Sequence, residues 1–126
     1  MKILLVDDSK TMRSIQKKYL GTNPGVQFVE AGDGIEALTA LATSGPVDLA
    51  LVDWNMPNMD GHTLVQKIRA TDKKTPIIMC TTEAEKARVI EALKAGVNNY
   101  VVKPFTEEIL LEKVESTMQK ARATAA

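Results

Sequence analysis

Five short apolar runs, most of them unbroken, each precede a stretch with helical spacing. The runs are Ile3 to Val6, Val26 to Val29, Val47 to Val52, Ile77 to Cys80 and Tyr100 to Val102. A strand that is apolar along its whole length has to be buried on both faces. Between the runs, apolar residues recur three and four apart, as one face of a helix requires. The markers are Met12, Ile15, Tyr19 and Leu20, then Ile35, Leu38 and Leu41, then Leu64, Val65 and Ile68. Ala87, Ile90 and Leu93 mark a fourth helix, and Leu110, Val114, Thr117, Met118 and Ala121 a fifth. Gly21–Gly25, Ser44–Pro46, Gly96 and Pro104 punctuate the pattern. Repeated strand–helix units of this kind specify a parallel sheet covered by helices on both sides. Right-handed crossovers then restrict the topology.

With 126 residues there is room for one domain. Sixteen basic and sixteen acidic residues cancel, which gives no sign of a nucleic-acid binder. A single cysteine, Cys80, allows no intrachain disulfide, and a single histidine, His62, allows no His-rich metal site. Cys80 closes an apolar run and reads as a buried core thiol, and His62 as a solvent-facing helix residue without a catalytic role. The run Ile3 to Val6 is far shorter than a signal-peptide core of roughly 7–15 residues. A reduced, cytoplasmic protein is expected, with a tail at 122–126 that frays.

In a parallel α/β sheet of this type, ligands bind beyond the carboxyl ends of the strands. Asp7 and Asp8 follow the first run, Asp53 the third, Thr81 and Thr82 the fourth, and Lys103 the fifth. Three carboxylates, a hydroxyl and an ammonium thus share one rim. Clustered carboxylates raise one another's pKa unless a cation joins them. Mg²⁺ suits such a site, because it takes one or two carboxylates and completes its shell with water and phosphate oxygens. A carboxylate can also attack phosphorus, giving an aspartyl phosphate. The plainer alternative is that Asp8 or Ser9 merely caps a helix.

The motifs VDDS at Val6–Ser9, DWNMPNMDG at Asp53–Gly61, Thr81–Thr82 and YVVKPF at Tyr100–Phe105 resemble the receiver domains of two-component response regulators, above all the single-domain chemotaxis members. The likeness spans essentially the whole chain. It implies a flavodoxin-like (βα)5 three-layer sandwich whose five-stranded parallel sheet runs 2-1-3-4-5, formed by residues 1–121. That order comes from the family and not from the spacing. It further implies that Asp53 is the phosphoacceptor, fed by a sensor histidine kinase of the chemotaxis type. Mg²⁺ (or Mn²⁺) would be held by Asp8, Asp53 and the backbone carbonyl of Asn55, with Asp7 acting through water. Lys103 and Thr81 would contact the phosphoryl group. Thr81 and Tyr100 would form the switch, and Asn55, Thr82 and Glu83 would tune dephosphorylation. Val89, Tyr100 and Lys113 would lie on the partner face. The resemblance also favours a cis peptide at Lys103–Pro104. The implied role is a monomeric signalling switch, not an enzyme acting on other molecules. Its implied partners are the kinase, the flagellar motor switch protein and a phosphatase, with neither nucleic acid nor membrane among them.

Three other chemistries compete for these residues. Gly32–Ala37 (GDGIEA) fits a dinucleotide fingerprint, with Asp53 about 20 residues onward. Asp33 would then face a pyrophosphate, and Asp7 and Asp8 would have no task. No GxxxxGK[ST] phosphate loop exists. A Mg²⁺-dependent aspartyl phosphatase remains as an alternative, although such enzymes separate the first two acids by one residue. A stand-alone receiver in another phosphorelay is the second alternative.

Overall fold

A computed structural model describes residues 1–22, 24–82 and 88–125. Glu83 and Ala87, both named above, lie outside the described residues. The elements are β1 (Lys2–Val6), α1 (Lys10–Leu20), β2 (Gln27–Ala31), α2 (Gly34–Ser44), β3 (Leu49–Asp53), α3 (Gly61–Arg69), β4 (Ile77–Thr82), α4 (Val89–Ala95), β5 (Asn99–Lys103) and α5 (Glu107–Ala125). The strands pair in parallel in the order β2-β1-β3-β4-β5. This is the flavodoxin-like arrangement.

Side chains alternate across a strand, so each apolar run feeds two cores. Leu4, Val6, Ala50, Val52 and Met79 meet Ala37 of α2, Leu64 and Ile68 of α3, and Ala92 of α4. Ile3, Leu5, Leu51, Ile78, Cys80 and Val101 meet Leu20 of α1 and Leu110 of α5. Hence α1 and α5 cover one face, and α2, α3 and α4 the other.

Three expected core markers point elsewhere. Ile35 is 54% exposed, Ile90 65% and Leu93 47%. Ala37 of α2 and Ala92 of α4 are fully buried, and Leu38 and Leu41 of α2, also expected, are half-buried against the same core. A small side chain lets the helix approach closely, while Ile35, Ile90 and Leu93 are turned outward. The strands also run further than the apolar runs suggest: Asp53, Thr81–Thr82 and Lys103 are terminal strand residues rather than loop residues. The helix α5 extends through Ala125. Its alanines and Arg122 favour the helix. The Lys103–Pro104 peptide is cis.

Register sets the rim. Val6 pairs with both Ala31 and Val52, Asp53 with Cys80, and Thr82 with Lys103. By this register β3 runs one residue, and β4 and β5 three residues, beyond the ends of β1 and β2, so the terminal residues form a staggered rim at one edge of the sheet.

Candidate phosphoacceptor and metal site

Asp7, Asp8 and Asp53 each place a carboxylate oxygen within 4.8 Å of the other two. Asp7 follows β1 directly and is 1% exposed, while Asp53 ends β3 and is 6% exposed. Asp8 faces solvent. The ammonium of Lys103, arriving from the end of β5, lies 3.0 Å from Asp7 Oδ2 and 3.0 Å from Asp53 Oδ1. One cation thus bridges two buried anions, and the third acid stands at the mouth.

Local chemistry keeps these acids from serving other elements. The Ser9 hydroxyl caps α1 by accepting from the Met12 N–H at 3.1 Å. Asp8 is therefore not needed as the cap. Asp7 Oδ1 accepts from the Ser9 N–H at 2.8 Å, and the Arg13 guanidinium donates to the Asp7 carbonyl. These contacts fix the start of the β1–α1 turn.

Burial raises the Asp53 pKa from its ordinary value to about 6. The Lys103 hydrogen bond and charge oppose that rise, the Asp7 charge adds to it, and the Asn55 N–H opposes it. Burial pulls Lys103 down, but its hydrogen bonds to Asp53 and Asp7 outweigh burial and leave its pKa raised. The pocket carries more negative charge than one ammonium can satisfy. An all-oxygen donor set with excess negative charge fits a small hard cation such as Mg²⁺.

Thr81 is fully buried on β4, and its hydroxyl has no hydrogen-bond partner among the described residues. An orphaned buried hydroxyl costs about 1–3 kcal/mol. Thr82, at the end of β4, is exposed. Tyr100 on β5 is half-buried, with Lys113 Nζ 4.8 Å from its ring centroid. Val89, assigned to the partner face, is 9% exposed at the start of α4. His62 is half-buried rather than solvent-facing, because its ring stacks on Trp54 at 5.5 Å. Arg88 Cζ lies over the indole, 5.9 Å from its centroid.

The β3–α3 loop, which carries Asn55, is anchored at both ends. At Gly61 a Cβ would come 2.3 Å from the Asp53 carbonyl oxygen, so only glycine permits the close return of the chain. Asp60 caps α3 through the Thr63 N–H at 2.7 Å. At the tip, Asn58 Nδ2 donates to Asp33 Oδ2 at 2.9 Å. Sequence reasoning missed this contact. The available signal was Pro57–Asn58, a pair typical of turns with positive φ.

Cys80 is fully buried, and burial pushes its thiol up to about 12. Its sulfur lies 3.9 Å from Gln16 Nε2. A thiol reagent should leave the native protein unlabelled at neutral pH and label it stoichiometrically in denaturant. Rapid native labelling, followed by absorbance, would contradict the burial.

The response regulator receiver domain family matches residues 3–115. Chemotaxis protein CheY1 of Helicobacter pylori strain J99 is 52% identical, over 91% of this chain and 94% of its own length. Chemotaxis protein CheY of Pseudomonas aeruginosa is 47% identical, over 95% and 98%. Among solved structures, the Francisella response regulator 1452 receiver domain superposes with a TM-score of 0.83 at 32% identity, covering 94% of this chain and 97% of that one. The rim of acids, the bridging lysine and the buried threonine therefore sit in a chain that belongs to the response regulator receiver family of two-component signalling, alongside chemotaxis homologues.

Proposed function

We propose that residues 1–121 form a phosphorylation-activated switch, with Asp53 as phosphoacceptor, and that it acts in chemotaxis. The observation that carries this reading is the Lys103 ammonium shared by Asp7 and Asp53, with Asp8 beside them. An Asp53 oxygen attacks the phosphorus of a phosphohistidine on a sensor kinase. The O–P bond forms as the N–P bond breaks, and the leaving imidazole takes up a proton. Hydrolysis later breaks the O–P bond, releases inorganic phosphate and returns the carboxylate. Asp8, Asp53 and the Asn55 carbonyl would hold Mg²⁺ (or Mn²⁺), with Asp7 supporting through water. The bound cation supplies positive charge to the phosphoryl oxygens.

Lys103 already lies beside Asp53, so it can follow the new charge with a small displacement. Thr81 supplies the missing half of a hydrogen bond, since its orphaned hydroxyl gains a phosphoryl oxygen as acceptor. Its movement vacates space for the Tyr100 ring. Phosphate then favours one state of the face bearing Val89, Tyr100 and Lys113. Asn55, Thr82 and Glu83 tune the lifetime of the phosphate.

In this reading the protein is a cytoplasmic monomer that modifies only itself. Among the described residues no helix is long and apolar enough to cross a membrane. Its partners are the kinase, the flagellar motor switch protein and a phosphatase. The test is capture of partners by the immobilised chain, with Mg²⁺, in the presence and absence of beryllofluoride. Affinity for the motor switch protein should rise about 5- to 150-fold, the usual range of coupling between sites. Equal affinity in both states would refute the switch. Capture of a phosphotransfer protein in place of the motor component would assign the chain to another relay. Repeated turnover of phosphate esters would assign it to the aspartyl phosphatases.

A further inference from the structure

The segment Gly32–Ala37 has the spacing of a phosphate-binding fingerprint, yet its acid is occupied elsewhere. Asp33 Oδ1 caps α2 by accepting from the Glu36 N–H at 2.8 Å. Its other oxygen accepts from Asn58 Nδ2 at 2.9 Å, 25 residues away in the β3–α3 loop. Both contacts stabilise the ionised carboxylate, and they hold its pKa below the ordinary aspartate range. The next residue, Gly34, is buried against the same loop, for a Cβ there would lie 2.7 Å from Met59 Sδ and 2.9 Å from Met59 Cβ.

The loop needs this support. Asn58 has φ +67°, the one positive φ on a non-glycine residue among those described. The Met59 N–H donates to the Pro57 carbonyl at 2.7 Å, which closes a three-residue turn around Asn58. A γ-turn with positive φ at its centre is rare and strained. Such a conformation persists only where the surroundings hold it in place. Asn58 stands three residues from Asn55 and five from Asp53.

We propose that Asp33 is a positioning residue for the metal pocket: its carboxylate latches Asn58 and thereby fixes the loop that presents Asn55. The inference rests on the reading of Asp8, Asp53 and Asn55 as cation ligands. It gives the GDG segment a task without a nucleotide. The two glycines let the chain turn and let Met59 close on it, and the acid between them serves α2 with one oxygen and the loop with the other.

The test separates the latch from the helix cap and from simple charge. Asn58→Asp sets two carboxylates against each other and leaves the cap intact. It also adds a negative charge near the pocket, which by itself would strengthen cation binding. Asp33→Asn combined with Asn58→Asp restores the hydrogen bond with donor and acceptor exchanged, at wild-type net charge. Asparagine caps a helix as well as aspartate does, and aspartate tolerates the left-handed region. Mg²⁺ affinity is read from Trp54 fluorescence and from titration calorimetry. Exchange of the 54–60 amides is read without metal. The single variant should bind Mg²⁺ about tenfold more weakly, the lower end for loss of an outer-shell partner. Its loop amides should exchange several-fold faster. The double variant should recover both. Undiminished Mg²⁺ affinity in Asn58→Asp, or a double variant that recovers neither property, would overturn the latch while leaving the pocket standing. A wild-type chain that binds no Mg²⁺ would overturn the pocket itself, and with it the positioning role.

Discussion

Asp53→Asn should abolish phosphoryl acceptance and, in the absence of metal, make the protein more stable. The first effect follows from replacing the attacking carboxylate with an amide, a poor nucleophile. Intact-protein mass spectrometry after incubation with a small phosphodonor and Mg²⁺ should show one added phosphoryl group on the wild type and none on the variant. Phosphorylated Asp53→Asn protein would remove Asp53 from its role.

The second effect follows from burial. Asp53 has a folded pKa of about 6, against 3.8 for an unperturbed aspartate. Between these values the folded protein holds a proton that the unfolded chain does not. Stability from this group therefore rises as pH falls through that window, and the penalty is fully present at pH 7. About two pKa units correspond to about 3 kcal/mol. Asparagine mimics the neutral form, so Asp53→Asn should gain up to that amount at pH 7, or roughly 10 °C in Tm. The gain should shrink to a small fraction of that near pH 4, where the folded carboxyl is protonated and the unfolded one about half so. Chemical denaturation in chelator at pH 7 and pH 4 tests this. A variant less stable than wild type at pH 7 would mean that the Lys103 pair outweighs the desolvation of Asp53. The site is thus held in a charged state that the apo fold disfavours. Saturating Mg²⁺ should close the gap between the two proteins, because the wild type keeps the carboxylate that the cation stabilises.

The sheet was legible because its strands are buried on both faces. Ile3–Val6 and Ile77–Cys80 are apolar without a break, and because the strands run parallel the residues that follow them lie on one side of the sheet. Helix facing was less legible. Ile35, Ile90 and Leu93 look like core residues by spacing yet are exposed, whereas Leu38 and Leu41 do pack on the core, as do the fully buried Ala37 and Ala92. Periodicity ranks residues by hydrophobicity, whereas close packing against a sheet also selects small ones. The carboxylates and Lys103 could be placed from their positions after strands, since the carboxyl ends of parallel strands all lie on one side of the sheet. Asp33–Asn58 could not, because it joins two loops whose proximity is a tertiary fact. Gly61 reads as a turn residue in sequence, but its constraint is the Asp53 carbonyl lying where a Cβ would be. The Trp54–His62 stack was likewise hidden, since the two residues belong to different elements.

Lys103→Met should destabilise the metal-free protein, tighten Mg²⁺ binding and silence the switch. Methionine keeps most of the stem and removes the charge. The Asp7 and Asp53 side chains, 1% and 8% exposed, then face each other with no cation between them. Breaking a buried ion pair typically costs about 3–5 kcal/mol, a large part of the stability of an ordinary domain. The loss should be greatest at neutral pH and above. It should shrink on acidification, as one carboxylate takes up a proton and the repulsion disappears. Mg²⁺ no longer competes with an ammonium for the same oxygens, so its affinity should rise about tenfold or more, and saturating Mg²⁺ should restore much of the lost stability. Beryllofluoride should nevertheless fail to change partner affinity, because the group linking the phosphoryl oxygens to β5 is gone. Lys103→Arg provides the contrast. It keeps the charge and should keep most of the stability, but a planar guanidinium cannot reproduce a point contact to two carboxylates and a phosphoryl oxygen. Unchanged stability in chelator, together with unchanged Mg²⁺ affinity in Lys103→Met, would show that the ammonium is a bystander in the acidic pocket. Tighter Mg²⁺ binding with the partner response intact would instead place the coupling on Thr81, whose buried hydroxyl has no partner among the described residues.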